Sequence, residues 1–144
     1  MKQILLISII FSVLSATTIQ IPSDYPTIQE GIDASVDGDT VLIAQGTYTE
    51  NLILEKEIVL ASHALNDDLN TEWINNEYIQ GTIISGTSEP VDPNYGSCLV
   101  IRDGNIAPTI LGFTFQDGIG TAMVENDTCE LVVQRPERSG GAIL

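Results

Sequence analysis

The chain has 144 residues and carries 20 Asp and Glu against 5 Lys and Arg, a formal charge of −15. That balance excludes a nucleic-acid binder that works by phosphate neutralisation and disfavours docking on an anionic membrane. With 43% hydrophobic residues and aliphatic runs along its whole length, the chain has the composition of a folded domain and not of a disordered segment.

Met1-Lys2-Gln3 precedes an apolar run from Ile4 to Leu14, and then comes Ser15-Ala16-Thr17-Thr18. One positive charge, about eleven mostly apolar residues and a small-residue stretch have the form of a secretory signal peptide. The run is too short to cross ~30 Å of hydrocarbon, which takes about 20 residues, so no stable membrane span is expected. Residues 1–16 are read as this signal, with cleavage after Ser15 or Ala16 both open. The mature chain from residue 17 is then secreted or held at the cell surface. In an oxidising compartment Cys98 and Cys129 can form a disulfide. It would close a loop of about 30 residues, worth roughly 3–4 kcal/mol; the alternative is two small buried hydrophobes that never meet. Zinc is not expected, because one His (His63) and two distant Cys make no four-ligand set.

Thr18-Ile19-Gln20-Ile21 alternates as a short strand does, and Pro22 ends it. Thr27 and Glu30 have capping-box spacing, which starts a helix at Ile28. Ile28, Ile32 and Val36 form its apolar stripe, and Asp37-Gly38-Asp39 stops it, with Gly38 free to turn left-handed. Thr27, Glu30 and Gly38 are thus the expected structural cap residues. After this helix the period changes. Strands are expected at Thr40–Ala44, Tyr48–Leu54 and Ile58–Ser62, and then a polar loop from His63 to Gln80. Further strands are read at Gly81–Gly86, Ser97–Arg102 and Pro108–Gly118, before an irregular polar stretch from Ile119 to Arg138. No helix-length segment separates the strands, which argues against a doubly wound α/β sheet.

Many short strands with Gly, Asn and Asp turns fit either an antiparallel sandwich or a parallel solenoid of about 20–25 residues per coil. Two-residue hairpin loops are few, which favours the solenoid. Ile58-Val59-Leu60, Thr82-Ile83-Ile84 and Leu99-Val100-Ile101 read as one strand recurring in successive coils. The predicted fold class is therefore all-β, a parallel β-helix with a short N-terminal capping helix.

The stretch from Ile21 to Ala34 and the stretch from Asp37 to Asn51 resemble the opening of secreted bacterial right-handed parallel β-helix proteins, the pectin-lyase-like superfamily. Thr82–Gly86 and Leu111–Gly118 resemble that group's first full coils, and Ser139–Ile143 the next one. Thr27-Ile28-Gln29 and Gly46-Thr47-Tyr48-Thr49-Glu50 also resemble, more distantly, the start of pectinesterases, where such segments look structural. Counterparts of the catalytic Gln-, Asp- and Arg-rich segments of pectinesterases and polygalacturonases are missing here. The chain stops inside an expected strand at Gly140-Gly141-Ala142-Ile143-Leu144, whereas a solenoid ends in a polar cap. Residues 17–144 are accordingly read as the N-terminal cap and first coils of a longer β-helix, whose remaining C-terminal coils are its first partner.

No catalytic set is visible. Asp67-Asp68 is an adjacent pair on a polar loop, where side chains diverge, so a solvated turn is expected instead of acid–base chemistry. Asp67, Asp68, Asp92 and Asp103 are weak calcium candidates, since loop carboxylates are hard oxygen donors; no EF-hand pattern accompanies them, and no other cofactor is expected. Arg102 reads as half of a surface ion pair more readily than as a lyase base. Trp73, Tyr78 and Tyr95 can either stack on sugar rings or pack over the side of the fold, and packing is favoured. Asn126-Asp127-Thr128 is a glycosylation sequon. The expected role is a non-enzymatic extracellular scaffold for adhesion or for contact with polysaccharide or cell-surface glycan. The alternative is the front of a pectinesterase or polysaccharide lyase whose catalytic residues lie beyond residue 144.

Overall fold

A computed structural model describes residues 15–68, 73–92, 94–102 and 104–121, together with the strand residues 123–124 and 131–132. Most of the regular structure is β. The first sheet takes β1 (Thr18–Ile21), β2 (Thr40–Ile43), β5 (Val59–Ser62) and β9 (Thr109–Leu111) in that order. The second takes β3 (Gly46–Thr49), β6 (Thr82–Ser85) and β10 (Thr114–Gln116), and the third takes β4 (Leu52–Leu54) and β8 (Leu99–Ile101). Every pairing in these three sheets is parallel, whereas a sandwich needs antiparallel neighbours. The chain visits the sheets in rotation: β2, β3 and β4 in the first, second and third, then β5, β6 and β8, then β9 and β10. Two small antiparallel pairs lie outside this order. They are β7 (Tyr95–Gly96) with β11 (Gly120–Thr121), and β12 (Met123–Val124) with β13 (Leu131–Val132).

Parallel, in-register pairing sets like residues on like. Ile19, Val41, Leu60 and Ile110 are successive partners across the first sheet, and Leu52 faces Leu99 across the third. Val41, Leu52, Leu60 and Leu99 are wholly buried and belong to one hydrophobic cluster with Ile28 and Ile32 of the helix α1 (Ile28–Ala34). Burying such side chains contributes about 1.5–3 kcal/mol each, which offsets the entropy of ordering these short strands.

Several elements differ from the sequence-based expectation. The run Tyr48–Leu54 is two strands in two sheets, broken at Glu50-Asn51. The break is held by Asn51, whose amide donates to Gly96 O (3.1 Å) and Ser97 O (3.0 Å) while its carbonyl accepts from Thr87 N. The run Pro108–Gly118 is likewise β9 and β10, with Gly112 at φ 84 between them, where a Cβ would lie 2.9 Å from that of Ala64. The three apolar triplets are not one recurring strand. Val59-Leu60, Thr82-Ile83-Ile84 and Leu99-Val100-Ile101 lie in the first, second and third sheets in turn. The successive strands of one sheet are instead β2, β5 and β9, whose spacing is uneven because segments 63–81, between β5 and β6, and 86–98, between β6 and β8, are inserted. The 63–81 segment is not all loop. It contains 3-10 turns at His63–Asn66 and Trp73–Asn75 and a short helix at Glu77–Gly81.

Candidate functional site

The N-terminal edge of the sheets is built around α1. Thr27 Oγ1 accepts from Glu30 N (3.2 Å), but the reciprocal bond, Thr27 N–H donating to the Glu30 carboxylate, is absent among the described residues. The first-turn donors go to Glu50 instead, whose two carboxylate oxygens accept from Ile28 N and Gln29 N, each at 3.0 Å. At the other end Lys56 Nζ donates to the carbonyls of Ile32, Asp33 and Ser35 at 2.7–2.8 Å. An anion at the N-terminus and a cation at the C-terminus both complement the helix dipole and satisfy backbone groups that the helix leaves unpaired. The helix ends at Ala34 with Ser35 as its C-cap, so Val36 falls outside the apolar stripe and is exposed. Gly38 takes the left-handed conformation, φ 90, in the turn after this cap and not at the helix end itself.

Between these two charges the Gln29 side chain behaves as a piece of strand. Its Oε1 accepts from Ile53 N (2.9 Å) and its Nε2 donates to Ile53 O (3.1 Å), which pairs both backbone groups on the outer edge of β4. Asp24 does the same for β1: its carboxylate accepts from Gln20 N and its own N–H donates to Gln20 O, each at 2.7 Å. Asp39 ties the exit of α1 to the start of β1. Its carboxylate accepts from Val36 N (2.9 Å) and Thr17 N (2.7 Å), and these backbone donors hold its pKa below the ordinary 3.8.

The 63–81 insert is the second place where polar groups converge. Asn76 is buried and organises it. Its carbonyl accepts from Tyr78 N (3.0 Å) and Ile79 N (3.1 Å), and its amide donates to Asp67 Oδ2 (2.7 Å). Asp67, Asp68, Asn75, Asn76 and Glu77 line a shallow pocket of about 330 Å³. The insert is tethered to the body by Gln45 Nε2 on Glu77 O (3.0 Å) and Thr114 Oγ1 on Ile79 O (2.8 Å). On its outside Trp73 and Ile74 are 58% and 65% exposed.

The sequence-predicted candidates are dispersed over this frame. Asp67 and Asp68 share the pocket, while Asp92 is folded into its own turn, accepting from the backbone and side-chain nitrogens of Asn94. Asp103 lies outside the described residues. Among the described residues no three His, Cys, Asp or Glu side chains are grouped to hold a metal. Cys98 is buried with its Sγ 3.0 Å from Gln116 O, and Cys129 and the Asn126 sequon lie outside the described residues. Arg102 pairs with Glu55 (3.0 Å) and lies over the Tyr95 ring, while Tyr78 packs against His63; of the three aromatics, Trp73 alone is exposed. Gln29 and Glu50 stand in the two segments that resemble the start of pectinesterases, but their bonds, like those of Lys56, go to groups 21–24 residues away and were not read from the sequence; nor was Asn76 singled out. For Asn76 a local signal exists, an Asn just before Glu77-Tyr78-Ile79, which is a helix N-cap pattern.

No family model matches the chain, and no solved structure matches it. A cell surface glycoprotein of Methanothermus fervidus, an archaeon, is 35% identical over 72 residues, covering 43% of this chain. The chain spans 12% of that relative's length. Among the described residues no helix is long and apolar enough to cross a membrane.

Proposed function

We propose that the chain is the front of a cell-surface parallel β-helix, a stiff extracellular scaffold without catalytic chemistry of its own. The observation that carries this reading is the rotation of successive strands through three parallel sheets, each return pairing in register with the strand before it. Stacking of this kind propagates coil by coil and produces long, rigid faces. On this reading α1, with Gln29 on β4 and Asp24 closing β1, is the N-terminal cap. The signal-like N-terminus and the partial likeness to a cell surface glycoprotein support the location. Trp73, exposed on the 63–81 insert, is the group offered to a glycan, because an indole face stacks on sugar rings.

The location is tested by proteolysis of intact cells followed by immunoblotting. Digestion of the protein before lysis is the expected result, and protection until lysis would sink the reading. The solenoid is tested by an experimental structure of the natural protein. Later strands should add to the same three sheets at about 4.8 Å spacing, and antiparallel additions would overturn it.

A further inference from the structure

The three sheets are treated differently at their N-terminal edges. In a strand the N–H and C=O of one residue point to the same side, and successive residues alternate. Thr17 O and Ile21 O accept from Thr40 and Ala44, so Gln20 faces outward, where Asp24 pairs both its groups. Leu52 N and Leu54 O bond to Cys98 and Arg102, so Ile53 faces outward, where Gln29 pairs both of its groups. In the second sheet Glu50 N donates to Ser85 O, which turns Thr47 and Thr49 outward from β3. Among the described residues no side chain or backbone group pairs with that edge, and Thr47 and Thr49 are exposed.

We propose that the Thr47–Thr49 edge of β3 is a docking site for an extended, basic peptide segment that adds as a further strand to the second sheet. Two neighbouring edges are closed, one by the Gln29 side-chain amide and one by the carboxylate and backbone N–H of Asp24, while this one is left with β-branched, exposed residues suited to pairing. Charge selects the occupant. Asp24, at Gln20 of β1, and Glu30 and Asp33, on α1, are exposed. The only Lys and Arg among the described residues, Lys56 and Arg102, are engaged with helix carbonyls and with Glu55. A second copy would bring a charge of −15 against −15, whereas a Lys- or Arg-bearing strand is complementary. The inference goes beyond the scaffold reading and does not rest on it, since it needs only the β3–β6 pairing.

The test is residue-resolved amide exchange of the full chain with a short peptide alternating Lys and Val, and with its Glu-for-Lys counterpart. The Lys peptide should slow exchange at Thr47 and Thr49 about tenfold, leaving the amides of Gln20 and Ile53 unchanged, and the Glu peptide should do nothing. T47P removes the donor and should abolish the effect. If that variant fails to fold, T47K keeps the backbone and sets a like charge on the edge, and it should also abolish binding. No protection by the Lys peptide, or equal protection in T47K, overturns the proposal. So does protection that rises with protein concentration without peptide, which would assign the edge to a second copy.

Discussion

At the N-terminal edge, Glu50, Gln29 and Lys56 bond to partners 21–24 residues away, whereas in the 63–81 insert Asn76 satisfies groups at Asp67, Tyr78 and Ile79, none more than 9 residues distant. The first set binds elements that come together only when the sheets stack, so those bonds report on the fold as a whole. The second shapes a loop that hangs on the body by Gln45 and Thr114. Similar polar residues therefore do two jobs: they close the edge of a core in one region and display a surface in the other.

Substitutions in the two regions should separate accordingly. Leu60→Ala, within the first sheet and wholly buried, should cost about 3 kcal/mol in urea unfolding, from lost burial plus the cavity left behind. Lys56→Met keeps the stem and removes three bonds to helix carbonyls, for an expected loss of about 1–2 kcal/mol. A Lys56→Met protein as stable as the parent would show that α1 is held by packing alone.

Asp39→Asn tests the same edge through pH. Its folded pKa is lowered below 3.8, so the unfolded chain takes up a proton before the folded one does. The stabilisation is full above the unfolded value and is lost as pH falls through the folded one. The parent should therefore lose Tm on acidification below about pH 4 more steeply than Asp39→Asn, and parallel acid limbs would remove Asp39 from the account. The smallest effect belongs to the insert. Trp73→Ala should leave stability within about 0.5 kcal/mol while weakening any glycan contact, measured by the melt and by glycan binding side by side. A large loss of stability would mean that Trp73 is packed and not displayed.

What could be read from residue order was what neighbours decide. The alternation of Thr18–Ile21, the Thr27 position ahead of Ile28, and the β-branched run Thr82–Ser85 each depend on contacts within a few residues, and each element lies where its pattern puts it. The mostly β character follows from the same local preferences. Where one strand ends and the next sheet begins did not follow. Tyr48–Leu54 reads as one continuous strand, and it bends at Glu50-Asn51 because Asn51 finds Gly96, Ser97 and Thr87 while Glu50 finds α1. Stacking likewise decided that the three apolar triplets belong to three sheets, since identical local patterns say nothing about which neighbour they pair with. The partners of Gln29, Glu50 and Lys56 were hidden for the same reason: a side chain's partner two dozen positions away is fixed by the register of the strands, and register exists only in the assembled fold.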